Sequence, residues 1–333
     1  MASARSAAAN QRGIFRRSGY HAVATDLGVE ARVTEPAAVD LPRASRVAGS
    51  IDEFEREWQR ALELREDRWF VFPDRSGHDQ ISLAEWVKAE QIVSLLRHCG
   101  LDGARLVEYG CGAAGISIYL RERGFRVIAA DIAVGALEVA RINDSRHRRR
   151  ASTDLPLLRA DTLDLPFADR ALDGAMSFGL LEHFDDQSLD ALMREVCRVI
   201  RPGGLFLADI IPARFNARAV GNAINAAAAM ARPALRGDVN GARSACRAYF
   251  GHYFETGRGP DEWAEILGRH GLRDVRIRVC RPFPPLALSG SAGRAYTDTQ
   301  RALLPFWRRF DSADTALTRR WGWMYLVSGI RSA

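Results

Sequence analysis

From Ala104 onward the chain alternates short apolar runs with helical patterns, and this alternation restricts the fold more than any other feature. Runs at 106–109, 126–130, 157–159, 171–178 and 204–211 have the length and bounding turns of buried strands. Between the last two, Leu189, Leu192, Met193, Val196 and Ile200 recur at helical spacing. Parallel strands cannot be joined by tight turns, so intervening helices imply right-handed crossovers and a sheet covered on both faces. Further runs at 274–280 and 322–330 bring the expected strand count to seven. The expected class is α/β, a doubly wound and mostly parallel sheet.

The segment Glu108-Tyr109-Gly110-Cys111-Gly112-Ala113-Ala114-Gly115 leaves the first strand and opens a helix. Glycines there let the backbone turn tightly and let a ligand approach the N–H groups of the helix start. The pattern fits G-x-G-x-x-G, a weak signal by itself. Asp131 ends the next strand, with Ile132 after it; a carboxylate at that position can accept from both ribose hydroxyls of an adenosine-containing ligand. Glu108 is placed either to hold the loop or to meet a cationic ligand tail. Asp161-Thr162 follows the third strand, where an Asp can accept from an adenine amino group. The fourth strand runs into Ser177-Phe178-Gly179-Leu180-Leu181-Glu182-His183-Phe184, and Arg201-Pro202-Gly203-Gly204 precedes the fifth.

In this order and spacing the motifs resemble the class I S-adenosylmethionine-dependent methyltransferases. The resemblance covers about residues 104–211, with looser echoes at 260–282 and 322–331. It implies a Rossmann-like methyltransferase fold with S-adenosyl-L-methionine as cofactor. It also implies that Gly110 and Gly112 border the methionine part, Asp131 holds the ribose, and Asp161 and Thr162 hold the adenine. The backbone around Ser177–Leu180 then lines the reacting end, with Ser177, Phe178, Glu108, Cys111 and Ile132 completing the cofactor-binding set. Ala114 stands where many members carry a third glycine, though Gly115 follows at once. A nicotinamide enzyme would account for the glycine loop but has no need of Asp161 or of the Pro-Gly-Gly turn.

Around this core, residues 1–49 are expected to form a poorly ordered basic extension; a transit peptide is the lesser reading. Residues 50–103 should form a helical cap that begins with a Ser50/Glu53 capping box and places Ile51, Phe54, Trp58, Ala61 and Leu62 on one helix face. Residues 212–259 interrupt the alternation with an alanine-rich segment and the cluster Tyr249, Phe250, Tyr253 and Phe254, expected to be a lid or substrate insert. Residues 260–333 complete the core around a partly helical insert at 283–319.

Lys88 is the only lysine; the other 46 basic residues are arginine, a skew best read as coding bias in a GC-rich genome. The arginines are dispersed and largely offset by 41 acids, which argues against a nucleic-acid groove. The tight run Arg146–Arg150 is expected to be a solvated loop. Five cysteines, an odd number with no C-x-x-C pair, argue against a disulfide framework or zinc site and for a cytoplasmic setting. No apolar stretch approaches the roughly 20 residues of a membrane span.

Methyl transfer from a sulfonium is an in-line displacement, so the protein chiefly aligns the reactants and excludes water. If the acceptor arrives protonated, His183 is the best-placed base, just past the fourth strand; Tyr253 and His252 in the insert are further candidates. No Asn-Pro-Pro-aromatic element ends the fourth strand, and no Pro-Cys pair occurs. The aromatics flanking the core, among them Trp69, Phe70, Phe72, Phe306 and Trp307, suggest a covered pocket for a small-molecule acceptor. A homodimer is compatible with the sequence. The alternatives within the same fold are aminocarboxypropyl transfer or internal cyclisation of the cofactor, and RNA methylation.

Overall fold

The computed structural model describes residues 48–64, 70–151, 153–211, 215–247, 249 and 256–333. Seven strands form one sheet in the order β3-β2-β1-β4-β5-β7-β6. They are β1 (Arg105–Tyr109), β2 (Arg126–Asp131), β3 (Leu157–Arg159), β4 (Leu172–Phe178), β5 (Ile200–Ile210), β6 (Leu272–Cys280) and β7 (Met324–Arg331). Strands β1 to β5 pair in parallel, while β7 runs antiparallel between β5 and β6. The expected doubly wound sheet is therefore present. β5 starts at Ile200, earlier than the sequence pattern indicates, because the Arg201–Gly204 segment is extended and β4 pairs with Ile200 before a register shift.

Alternate residues of each strand enter two apolar layers, the consequence of period-two side chains in a sheet covered on both faces. Val107, Tyr109, Ile128, Ala130, Phe206 and Ala208 face α5 (Asp186–Val199) and α8 (Pro260–Arg269). Leu106, Val127, Met176, Leu205 and Leu207 face α2 (Gln80–His98). The helix α2 starts where Asp79 accepts from the Ser82 N–H at 2.8 Å and stops before Gly100, whose φ of +69° suits glycine. Beside β1 and β2 run α3 (Gly115–Arg121) and α4 (Val134–His147).

The additions differ from expectation in three ways. The first helix, α1 (Ala48–Leu64), starts two residues before Ser50. Second, the alanine-rich helix α6 (Ala217–Leu235), which ends just past Pro233, is followed by a further helix, α7 (Val239–Arg247), that pairs with it. Third, the 283–319 insert is mostly helical, as α9 (Gly290–Ala302), α10 (Leu304–Ser312) and α11 (Ala316–Trp321). Trp307 is not over the strand ends; it is buried with Leu304 in the α2 layer, against Phe283 at 5.2 Å. The extension 1–47, Trp69, Phe250, His252, Tyr253 and Phe254 lie outside the described residues. Among the described residues, no helix is long and apolar enough to cross a membrane.

Candidate active site

The site lies at the C-terminal ends of β1, β2 and β4, where parallel sheets of this winding open a crevice. Gly110 and Gly112 both take positive φ, +63° and +49°, a backbone conformation that favours glycine, and a side chain at either would crowd a neighbour. A Cβ on Gly110 would stand 2.7 Å from Leu180, and one on Gly112 would stand 3.0 Å from Trp58. The loop thus offers bare backbone between Leu180 and an indole. Ala114 also sits in the left-handed region at φ +52°, immediately before α3. Gly115 serves packing instead, since a Cβ there would meet the Val71 carbonyl at 2.5 Å.

Asp131 ties the two halves of the crevice together. Its Oδ2 accepts from the Gly112 N–H at 3.0 Å, and its Oδ1 accepts from the Ala133 N–H at 2.9 Å. Burial raises its pKa, opposed by those backbone donors. Each oxygen keeps a second lone pair for a hydroxyl. The bare loop and this carboxylate together fit a ribose-bearing cofactor.

Glu108 does not point outward to a cationic tail. It is buried, and its Oε2 accepts from the Ser117 N–H at 3.0 Å and from the Ser117 hydroxyl, locking the loop to the start of α3. Burial pushes its pKa up to about 7. The folded protein therefore holds a proton there that the unfolded chain, with a value of 4.5, has released. Stability contributed through this group falls as pH rises from about 4.5 to 7, by on the order of 3 kcal/mol in the limit. The variant Glu108→Gln is expected to match the parent near pH 4.5 and to exceed it at pH 7.5. Denaturant melts at both pH values measure this; a constant gap would contradict it.

The other expected residues fall into two groups. Asp161 lies at the crevice, its Oδ1 accepting from the Leu163 N–H at 2.9 Å, with burial raising its pKa; Thr162 is half-buried beside it. The Ile132 side chain is half-buried, and its carbonyl accepts from Arg159 at 3.2 Å. Cys111 by contrast turns its thiol into a buried cluster with Ala114, Ile118 and Leu137, so only its backbone borders the loop. Ser177 is fully buried, with no hydrogen-bond partner for its hydroxyl among the described residues. Phe178 faces α2, where the Lys88 ammonium sits 4.9 Å from its ring. His183 ends the short 3-10 turn Leu181–His183 and meets the edge of Phe54 at 5.6 Å.

These distances show what sequence patterning missed: α1 roofs the site. Phe54 and Trp58 share the apolar face of α1, a pattern that says cap without saying over what. Glu55 accepts from the Gly135 N–H at 3.1 Å, so its charge lies at the start of α4, where the helix dipole favours an anion. Gly135 permits this closeness, because a Cβ there would lie 2.7 Å from that of Trp58 and 3.2 Å from the Gln59 nitrogen. Replacing Gly135 with alanine is expected to lift α1, costing about 1–3 kcal/mol. Faster amide exchange across 52–64, with the sheet amides still protected, is the readout; unaltered exchange in α1 would refute the packing argument.

Residues 107–208 match the Methyltransferase domain family. That segment carries a methyltransferase domain of the class I S-adenosylmethionine-dependent superfamily. S-adenosylmethionine is the cofactor of this superfamily domain. The chain is 32% identical to Methyltransferase GfsG of Streptomyces halstedii over 171 residues, which are 50% of this chain and 59% of that protein. It is 36% identical to a malonyl-[acyl-carrier protein] O-methyltransferase of Serratia marcescens over 33% of this chain and 40% of that one. A ubiquinone biosynthesis O-methyltransferase of Brucella anthropi is 28% identical over 58% of this chain and 69% of that protein. The match thus spans about half the length of the first two relatives.

Proposed function

We propose that this methyltransferase acts on a small-molecule acceptor, by in-line displacement in a pocket closed over by α1. The observation that carries the proposal is the roof itself, with Trp58 against Gly112 and Phe54 against His183. A crevice covered this way suits an acceptor small enough to be enclosed and does not suit a polymer lying across the strand ends. S-adenosylmethionine, when bound, supplies an activated methyl group. Asp131 would hold the ribose, Asp161 and Thr162 the adenine, and the backbone of Gly110 and Gly112 the methionine part, with the backbone around Ser177–Leu180 at the reacting end. Trp58 and Leu180 would exclude water. His183 would accept the acceptor's proton where one must leave, with His252 and Tyr253 as further candidates.

Two of the relatives are named as O-methyltransferases, which favours an acceptor hydroxyl or carboxyl. We place the reaction in bacterial secondary or surface-glycan biosynthesis, supported by the match to bacterial enzymes. The test is incubation with S-adenosylmethionine and a panel of hydroxylated quinones, sugars and carboxylic acids, with products read by mass spectrometry. The expected result is S-adenosylhomocysteine together with a methylated acceptor. Methylthioadenosine released instead would mean aminocarboxypropyl transfer or cyclisation, and methylation confined to added RNA would overturn the small-molecule assignment. In the same assay His183→Ala should lower turnover by about 100-fold while leaving cofactor affinity intact.

A further inference from the structure

The run Arg146–Arg150, expected from sequence to be a solvated loop, walls a cleft away from the cofactor crevice. α3 links β1 to β2, so its start at Gly115 faces the glycine loop and its last turn lies toward the N-terminal end of β2. There a cavity of about 620 Å³ opens between the ends of α2, α3 and α4. This volume falls within the range of small-molecule pockets and far exceeds what one phosphate or sulfate ion fills.

Four arginines line the cavity: Arg97, Arg123, Arg149 and Arg150. Arg97 lies 3.5 Å from Asp102, and Arg123 lies 3.3 Å from Glu90. Arg149 and Arg150 are exposed and have no carboxylate within ion-pair distance among the described residues. The cavity also holds two carboxylates, but both are engaged in shaping it. Glu122 accepts the backbone N–H groups of Arg149, Arg150 and Ala151 at 2.8–3.1 Å, which fixes the turn that presents the two guanidinium groups. Asp74 accepts from both the N–H and the hydroxyl of Ser76 at 2.8 Å.

One wall is aromatic. Phe72 and His147 stack at 4.1 Å, nearly parallel, and Tyr119 lies 6.2 Å from Phe72. Burial, with Arg146 and Arg149 nearby, lowers the His147 pKa, which favours the neutral imidazole. Guanidinium forks suit phosphate oxygens, and flat uncharged rings suit a flat apolar group.

We propose that this cleft is a second binding site, for a small organic polyphosphate carrying a planar ring, such as a nucleoside diphosphate. Its phosphates lie on Arg149 and Arg150, with Arg97 and Arg123 behind, and its ring lies against the Phe72–His147 wall. The site is independent of the acceptor and of the reaction at the crevice.

Calorimetry on the full chain, with the cofactor site saturated by S-adenosylhomocysteine, tests this using UDP, pyrophosphate and uridine as probes. UDP is expected to bind more tightly than pyrophosphate, with uridine weakest and UDP affinity falling as salt is added. The double variant Arg149→Gln/Arg150→Gln is expected to lose at least about tenfold in UDP affinity with S-adenosylmethionine affinity and thermal stability unchanged. Asp131→Ala should show the reverse pattern, so failure here is distinguishable from failure at the crevice. No binding of UDP or pyrophosphate, or equal affinity in the double variant, would overturn the site. Equal affinity for UDP and pyrophosphate would remove the ring's role, and tighter binding of oligouridylate than of UDP would replace the small ligand by a polymer.

Discussion

Replacing Asp131 with alanine is expected to weaken S-adenosylmethionine binding by about 100-fold or more. Two losses combine. The variant removes the acceptor proposed for both ribose hydroxyls, and hydrogen bonds to a charged group are each worth about 1.5–3 kcal/mol. It also frees the Gly112 and Ala133 N–H groups that the carboxylate now holds, so the loop loses its fixed shape before any ligand arrives. Asp131→Asn should fall between the parent and alanine, because an amide offers one accepting oxygen where the carboxylate offers two. Since burial raises the Asp131 pKa, affinity in the parent should start to fall with acid at a higher pH than an ordinary aspartate would give. Titration calorimetry across pH, beside a melt showing that each variant is folded, measures all three. Parent-like affinity in the alanine variant would remove Asp131 from the cofactor site and with it the proposed placement of the ribose.

Much of this crevice was legible before the fold was known, for a physical reason. The glycine loop, Asp131 and Asp161 each sit at a strand end, and strand ends in a parallel sheet are brought together by the hydrogen-bond register alone. Leu106 pairs with Val127 and with Gly174, so locating three strands in sequence locates their ends in space. The roof had no such register to follow. Trp58 reaches Gly112 only because the start of α4 offers a bare glycine at 135 and a free N–H to Glu55, an alignment that helical periodicity cannot express. Trp307 illustrates the converse. Read by type, an aromatic in an insert suggests a lid, but this one is buried in the core cluster that contains the apolar face of α2. Glu108 was legible as an acid at the loop, and only its burial decided between holding the loop and meeting a ligand.

Lys88 carries the largest stability prediction. A chain whose other 46 Lys/Arg positions are all arginine keeps its one lysine in a buried position. The Lys88 ammonium donates to Asp209 at 2.6 Å and lies 2.7 Å from Glu85, with the Phe178 ring 4.9 Å away and all but a few per cent of its surface buried. Arg281 also pairs with Glu85. Burial opposes the charged lysine, but Asp209 and Glu85 more than compensate and raise its pKa. Lys88→Met leaves Asp209 buried without its cation, and breaking such a pair from one side costs about 3–5 kcal/mol. Lys88→Arg keeps the charge but must fit a planar fork into a gap shaped for a compact ammonium, so it too should destabilise. Lys88→Met/Asp209→Leu should recover most of the loss, because apolar groups of similar volume can replace a buried pair. The pH dependence has a definite sign: Glu85, lowered from 4.5 to about 2 despite burial, gives stability that is present above 4.5 and lost as pH falls toward 2. The gap between parent and Lys88→Met should therefore narrow in acid. Because Phe178 and Asp209 are register partners at the ends of β4 and β5, the same variant should slacken the proposed reacting end and lower turnover more than cofactor affinity. Denaturant melts of the two single variants and the double variant would sink this account if the double variant proved no more stable than Lys88→Met.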